Sequence, residues 1–338
     1  ENGALLLEPS RQQLIQFSEY FGDSYWTKNN VSVTDNAITS PEGVDNACLL
    51  IENTATSTHE ITKSFTNTLN ADYCISIFAK ANTRDSIRLS SSDGGFVYFN
   101  LVTGEKGTET NATGTIEPFN NGWYKCSVVF EALGTNGSAS IRIAESDGVT
   151  SYTGQNKSIY IFGIQYEAGS YSTSYIPNHG TSGGVTRAAD SCTSGGSAST
   201  FNDSEGVLYA EISTLSLSDF SERRITLSDS INSYLRIQYG GTSGVIYLFI
   251  YINGVKVADI RKAGLDTTNQ HKVAIRYGSS GYSGFVDGVL IETDAYAGNF
   301  ASYPLNSLDF YDWKGNVKQL LYFNEALSDS ELATLTTL

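Results

Sequence analysis

Side chains suited to holding a sugar fall together when the strand-like segments are split by alternation. In 122–130, Tyr124, Cys126, Val128 and Phe130 share an apolar face, and Trp123 shares the other with Lys125 and Ser127. In 95–102, Val97, Phe99 and Leu101 form the apolar face, leaving Phe96, Tyr98 and Asn100 opposite. In 86–90, Ile87 and Leu89 separate from Ser86, Arg88 and Ser90. Read as one surface, Trp123, Tyr98, Phe96, Arg88 and Asn100 offer aromatic rings for the C–H faces of a sugar and polar groups for its hydroxyls. Later in the chain Tyr234, Arg236 and Gln238 share a face, while Tyr311 and Trp313 fall in an expected loop beside Gly315. The bland alternative is that these aromatics pack under loops, and Trp26 reads as a core plug.

Catalytic chemistry has little to stand on. A retaining glucanase needs two carboxylates about 5–5.5 Å apart, commonly from an E-x-D-x-x-E strand. No such motif occurs, and Glu205 and Glu211 are six residues apart with apolar residues between them. His59, His179 and His271 are the three histidines, and none has triad or metal-ligand spacing. No phosphate loop is present. Cys48, Cys74, Cys126 and Cys192 fit no metal knuckle. They read as small buried thiols, with a Cys74–Cys126 bridge as the sharper alternative.

The elements that position these residues must be strands. The chain has 338 residues, of which 17% are charged and 40% hydrophobic, with 32 Gly and 21 Tyr. That balance suits turns and sheets rather than helical bundles. The length exceeds the roughly 250–300 residues that one core serves, so two domains are expected. The net charge is −15 with acid in excess in both halves, and no Lys/Arg stripe invites nucleic acid. No run nears the roughly 18 apolar residues of a membrane helix, so no membrane insertion is expected. There is no Met, even at position 1, which reads as a segment of a longer polypeptide or a matured form.

Strand-like runs fill 71–81, 86–90, 95–102, 122–132, 138–144 and 158–167, then 206–213, 233–240, 245–252, 271–278, 284–292 and 317–324. Asn253-Gly254 and Asp287-Gly288 predict tight hairpins. Ser328 and Glu331 have capping-box spacing, which predicts a short closing helix. The reading is an all-β chain of two tandem β-sandwiches: 1–178, a Gly/Ser/Thr-rich linker over 179–205, and 206–338.

Particular segments carry a resemblance. ALLLEPSRQQLIQFSEYFGDSYWTKNNVSV (4–33) and FGIQYEAGSYSTSYIP (162–177) resemble a jelly-roll module of bacteriophage tail and virion proteins, also found in secreted polysaccharide-degrading proteins. That module is akin to galactose-binding-like carbohydrate-binding modules. GVLYAEIS (206–213), IYINGVKVAD (250–259) and LLYFNEALSDSELATL (320–335) resemble a laminin-G/concanavalin-A-like domain. The resemblance implies a polysaccharide or cell-surface glycan as partner, and an extracellular or virion-surface location within a homo-oligomer or larger assembly. It also implies a structural calcium joining chain start to last strand, where Glu8 and Glu167 stand and where carboxylates suit the ion. The expected function is non-catalytic glycan binding or adhesion. The alternatives are a self-assembling virion or filament subunit, and the accessory binding part of a polysaccharide-degrading enzyme.

Overall fold

The computed structural model describes residues 4–217, 221–229, 231–240, 242–296 and 299–338. The chain divides into two compact units, Arg11–Arg187 and a second composed of Glu1–Ser10 with Ala188–Leu338. Each is a sandwich of two six-stranded antiparallel sheets. The all-β, two-sandwich expectation therefore holds.

The division differs from the expected 1–178, 179–205 and 206–338. Leu5–Leu7 pairs with Gly315–Phe323, setting Leu7 opposite Gly315, and Leu7 is buried in the core of the second unit. The 179–205 stretch is no bare linker. Val185–Arg187 pairs with Arg11–Gln13 in the first unit, Cys192–Gly195 pairs with Ser307–Tyr311 in the second, and Phe201 enters the second core. Small residues serve edge strands and turns as readily as linkers, so composition did not separate the two.

In the first unit one sheet runs Glu105–Thr110, Phe96–Asn100, Ser86–Ser90, Asn136–Ala144, Glu60–Thr66 and Thr27–Asn29. The other runs Thr113–Pro118, Tyr124–Glu131, Asp72–Ala81, Ser158–Ala168, Ala47–Glu52 and Val31–Ile38. Ile87, Leu89, Val97 and Phe99 from the first and Ile75, Ile77, Cys126 and Val128 from the second fill one core. Trp26 is buried there, stacked on Phe21 at 5.4 Å between centroids.

The strand registry rules out the Cys74–Cys126 bridge. Cys126 lies opposite Ile77 and joins the core, whereas Cys74 is three residues from Ile77 and so points to the other face of its sheet. Cys48, Cys74 and Cys126 are buried free thiols, and Cys192 is half-buried.

In the second unit one sheet runs Leu5–Leu7, Gly315–Phe323, Gly206–Thr214, His271–Tyr277, Tyr282–Val286 and Val289–Asp294. The other runs Cys192–Gly195, Ser307–Tyr311, Arg223–Ser228, Tyr234–Tyr239, Ile246–Ile252 and Val255–Lys262. The expected hairpins form: Asn253 and Gly254 have φ of 48° and 75°, Asp287 and Gly288 of 51° and 80°. The closing helix, Asp329–Thr336, starts with the full Ser328/Glu331 capping box.

Each unit closes the outer face of one sheet. In the second unit Leu332 of the helix packs with Val207, Tyr209, Ala274 and Phe285. In the first, Tyr175 packs edge-on to Phe78 and Phe162. Thr173 is held by the Glu167 carboxylate and accepts from Lys125 at 2.9 Å. The other sheet of each unit keeps outward side chains that reach solvent, and these carry the candidate sites.

Candidate functional site

On the open sheet of the second unit, antiparallel registry sets outward side chains in rows across the strands. One row reads Tyr311, Arg224, Gln238, Tyr247, Arg261. The next reads Asp309, Thr226, Arg236, Phe249, Asp259, and the third Ser307, Ser228, Tyr234, Tyr251, Lys256. These strands form because the intervening positions, Ile225, Leu235, Ile237, Ile246, Leu248 and Ile250, are aliphatic and buried.

The rings are already arranged. Tyr234 and Tyr251 stack at 4.6 Å with an interplanar angle of 21°, and Tyr247 and Phe249 stack at 5.5 Å. Cations lie over them: Arg236 over Tyr234 at 4.2 Å, Arg224 over Tyr311 at 5.0 Å, Arg261 over Tyr247 at 5.4 Å. Burial, with Arg224 nearby, holds the Arg236 guanidinium below its ordinary pKa, yet it remains charged at neutral pH. Asp259 is gripped by Arg261 and Lys256, which bring its carboxyl to about 2. The face is therefore a wall of aromatic rings studded with charged forks. It suits flat stacking of a ring-shaped ligand together with hydrogen bonds at its edges.

The expected stripe of Tyr234, Arg236 and Gln238 lies on this face, although Gln238 is buried between its neighbours. Tyr311 is 61% exposed at the end of its strand and also belongs here. Trp313 does not. It is 3% exposed and packs in the core against Tyr239 and Phe310, so it offers no ring to a ligand.

In the first unit the expected single surface is split between two sheets. Phe96, Tyr98, Asn100 and Arg88 lie on the open sheet, where Tyr98 is opposite Arg88 and Arg88 opposite Arg142. Trp123 precedes a strand of the closed sheet. It is 1% exposed among Phe78, Phe162 and Ala47. It faces away from the core between the sheets, but that face is covered by the segment carrying Tyr175, so Trp123 is not a surface platform. Tyr98 is also buried, leaving Phe96 as the half-exposed ring beneath Arg88, 4.5 Å from the guanidinium. The Asn100 side-chain oxygen Oδ1 accepts from the backbone N–H groups of Val102 and Thr103 and shapes the turn. A cleft of about 180 Å³ beside them is lined by Ser86, Tyr98, Asn100, Lys106 and Asp147 among others.

Glu8 and Glu167, expected to share a structural calcium, fall apart in the division of the chain. They belong to different units. The buried Glu167 carboxylate already accepts from Gln165, the Thr173 amide and the Thr173 hydroxyl, with Arg11 at 3.7 Å. No group of three or more His, Cys, Asp or Glu side chains arranged for a metal occurs among the described residues.

The histidines are held by structural partners. His271 contacts Asp287 at 2.7 Å through Nδ1 and the Asp266 carbonyl at 2.9 Å through Nε2. His59 lies between the Asn30 and Tyr152 carbonyls, and His179 contacts Glu19. Glu211 is bound by Lys318 at 2.6 Å.

Sequence reasoning missed Tyr247, Phe249, Tyr251 and Arg224. In IYLFIYI both faces are apolar, so a polar/apolar alternation test sees no faces at all. The signal was present in another form: aromatic residues alternate with aliphatic ones.

No family model and no curated protein matches this chain. Among solved structures it is similar to a Ruminococcus gnavus sialidase carbohydrate-binding module bound to α2,3-sialyllactose, at 18% identity and TM-score 0.35, covering 41% of this chain and 86% of that one. It is similar to sheep galectin-11 at 11% identity and TM-score 0.27, covering 36% and 97%. It is similar to mouse laminin α1 domains LG4–5 at 9% identity and TM-score 0.28, covering 81% and 90%. No helix among the described residues is long and apolar enough to cross a membrane.

Proposed function

We propose that this chain is a non-catalytic glycan-binding segment, with its principal site on the open sheet of the second unit. The observation that supports this reading is the pre-stacked aromatic wall of Tyr234, Tyr251, Tyr247 and Phe249, half-exposed and crossed by arginines. Rings fixed by their neighbours lose little freedom when a sugar docks, so most of the stacking energy is kept as affinity. The open sheet of the first unit is a second, smaller site built on Phe96, Arg88 and the adjoining cleft. Weak sites of this kind gain strength when repeated in a larger assembly. An extracellular or virion-surface setting, as part of a tail fibre or a secreted protein, fits such a role.

The test is a broad glycan array probed with the intact chain and with Tyr234→Ala/Phe249→Ala. Binding of one polysaccharide class by the intact chain, lost in the variant, is the expected result. The rival reading has these aromatics pack against second copies in a filament. It predicts a blank array together with a stable, concentration-dependent oligomer that the variant disrupts.

A further inference from the structure

The two open sheets share a device that their neutral ring-stacking role does not require. Each carries a pair of neighbouring arginines of which one is ion-paired to a carboxylate and the other is not. In the first unit Arg142 is bound to Glu60, while Arg88, directly opposite Arg142, makes no ion pair among the described residues and feels the Glu60 charge only at longer range. In the second unit Arg224 is bound to Glu222, while Arg236, diagonally beside it, likewise has none among the described residues.

The unmatched arginines are alike in detail. Arg88 lies over Phe96 at 4.5 Å, and its hydrogen-bond partners are hydroxyls: Ser90 at 3.5 Å and the Tyr98 phenol. Its Nε–H is buried without a partner. Arg236 lies over Tyr234 at 4.2 Å, and its partners are the Thr226 hydroxyl at 3.1 Å and the Tyr234 phenol. Each guanidinium lies over an aromatic ring and both are partly desolvated.

Such an arrangement is unfavourable for the free protein. Like charges set directly across a sheet, as Arg88 and Arg142 are, destabilise it, and a half-buried cation without an ion pair loses hydration for little return. An anion on the face relieves both penalties. A planar guanidinium fork matches a planar carboxylate through two parallel hydrogen bonds, a geometry that a tetrahedral sulfate shares less well. In a chain of net charge −15, two unmatched cations on two sugar-suited faces are specific features rather than part of a basic surface.

We infer that the glycan recognised by these faces is acidic, its carboxylate taken by Arg88 in the first unit and by Arg236 in the second. This rests on the glycan-binding reading above and names the substrate class within it. In the first unit the adjoining cleft, lined by Ser86, Tyr98 and Lys106 among others, offers polar groups to the sugar hydroxyls.

The test uses the intact chain against polygalacturonate, alginate, hyaluronan and polysialic acid. Each is paired with its carboxyl-reduced form, and a neutral glucan and dextran sulfate are run alongside. The expected result is that at least one acidic polymer binds and that carboxyl reduction weakens it by about tenfold or more, as loss of a bidentate charged pair should. Arg88→Gln/Arg236→Gln should then bind the acidic and reduced forms alike, with Tm recorded to show that the variant folds. The comparison of native and reduced polymer on the unaltered protein needs no variant. Equal binding of both forms, preference for dextran sulfate, or discrimination that survives in the folded double variant overturns the inference. Binding of the neutral glucan alone overturns it too while leaving the glycan-binding reading intact. Binding of nothing removes both.

Discussion

The rings of Tyr234 and Tyr251 stack across neighbouring strands at 4.6 Å, with neither ring contributing to the core. Stacked aromatics on a solvent-facing row contribute to sheet pairing, about 0.2–1 kcal/mol for a cross-strand pair. Phe249→Ala or Tyr251→Ala should therefore cost the fold about 1 kcal/mol or less, while lowering glycan affinity about tenfold, the loss expected for a stacking contact of about 1.4 kcal/mol. Urea unfolding and titration calorimetry on the same samples separate the two effects.

Trp123 behaves in the opposite way. It is buried against Phe78 and Phe162, so Trp123→Ala removes a core ring and should destabilise the first unit by about 3–5 kcal/mol. Where the variant stays folded, its affinity should match that of the parent chain. A thermal scan and one binding isotherm check this, and lost affinity in a stable variant would restore Trp123 to the site.

Leu7 tests the division of the chain. It is buried in the second core although it lies about 200 residues upstream of Gly206, where a strand of that unit's sheet begins. Leu7→Ala should lower the unfolding transition of the second unit by about 2–5 kcal/mol and leave the first unchanged. Calorimetry of the whole chain resolves which transition moves.

Acid should destabilise the protein in a defined direction. Burial opposes the charge on Glu52, but Arg84 at 3.0 Å, the Tyr152 hydroxyl at 2.6 Å and the Gln155 amide outweigh it and hold its carboxyl below the ordinary value. Glu60 is lowered in the same way by Arg142, again against the cost of burial. A carboxyl depressed in the fold binds more protons when unfolded, so its contribution is present above the ordinary glutamate value and is lost as pH falls. The urea midpoint should hold steady down to about pH 5, then decline as pH falls through the ordinary carboxylate range of about 4. The share of Asp259 is likewise lost progressively below its ordinary value of 3.8 and is gone below about pH 2. A midpoint that rises on acidification would contradict the pairing of Glu52 with Arg84.

The four cysteines should titrate as free thiols in denaturant, with no mass change on reduction. Burial pushes the Cys48 thiol up to about 12, and Cys74 and Cys126 are raised further by the same cause. Thiolate is the reactive form, so Cys192, half-buried, should alkylate first in the native protein. Peptide mapping after timed alkylation gives the order.

The sequence made the sandwiches legible because their inward positions alternate, as Ile87, Leu89, Val97, Phe99, Cys126 and Val128 show. Both turn pairs and the capping box also reported truly, since each depends on local backbone chemistry. Partnership between sheets was not legible. Trp123 and Arg88 have the same outward parity but sit on different sheets, one covered and one open, and only long-range pairing decides which. Leu5–Leu7 crossed to the distant unit for the same reason: a three-residue strand carries no mark of its partner. The best face escaped notice because Tyr247, Phe249 and Tyr251 read as core among isoleucines.

The most direct test of the account is hydroxyl-radical footprinting of the intact chain with and without a polysaccharide that it binds. Tyr234, Tyr247, Phe249, Tyr251 and Tyr311 should be oxidised in the free protein and protected in the complex, while Trp123 and Trp313 should react little in either. Unchanged oxidation of all five rings at saturating polysaccharide, or protection confined to surfaces away from the two open sheets, would contradict it.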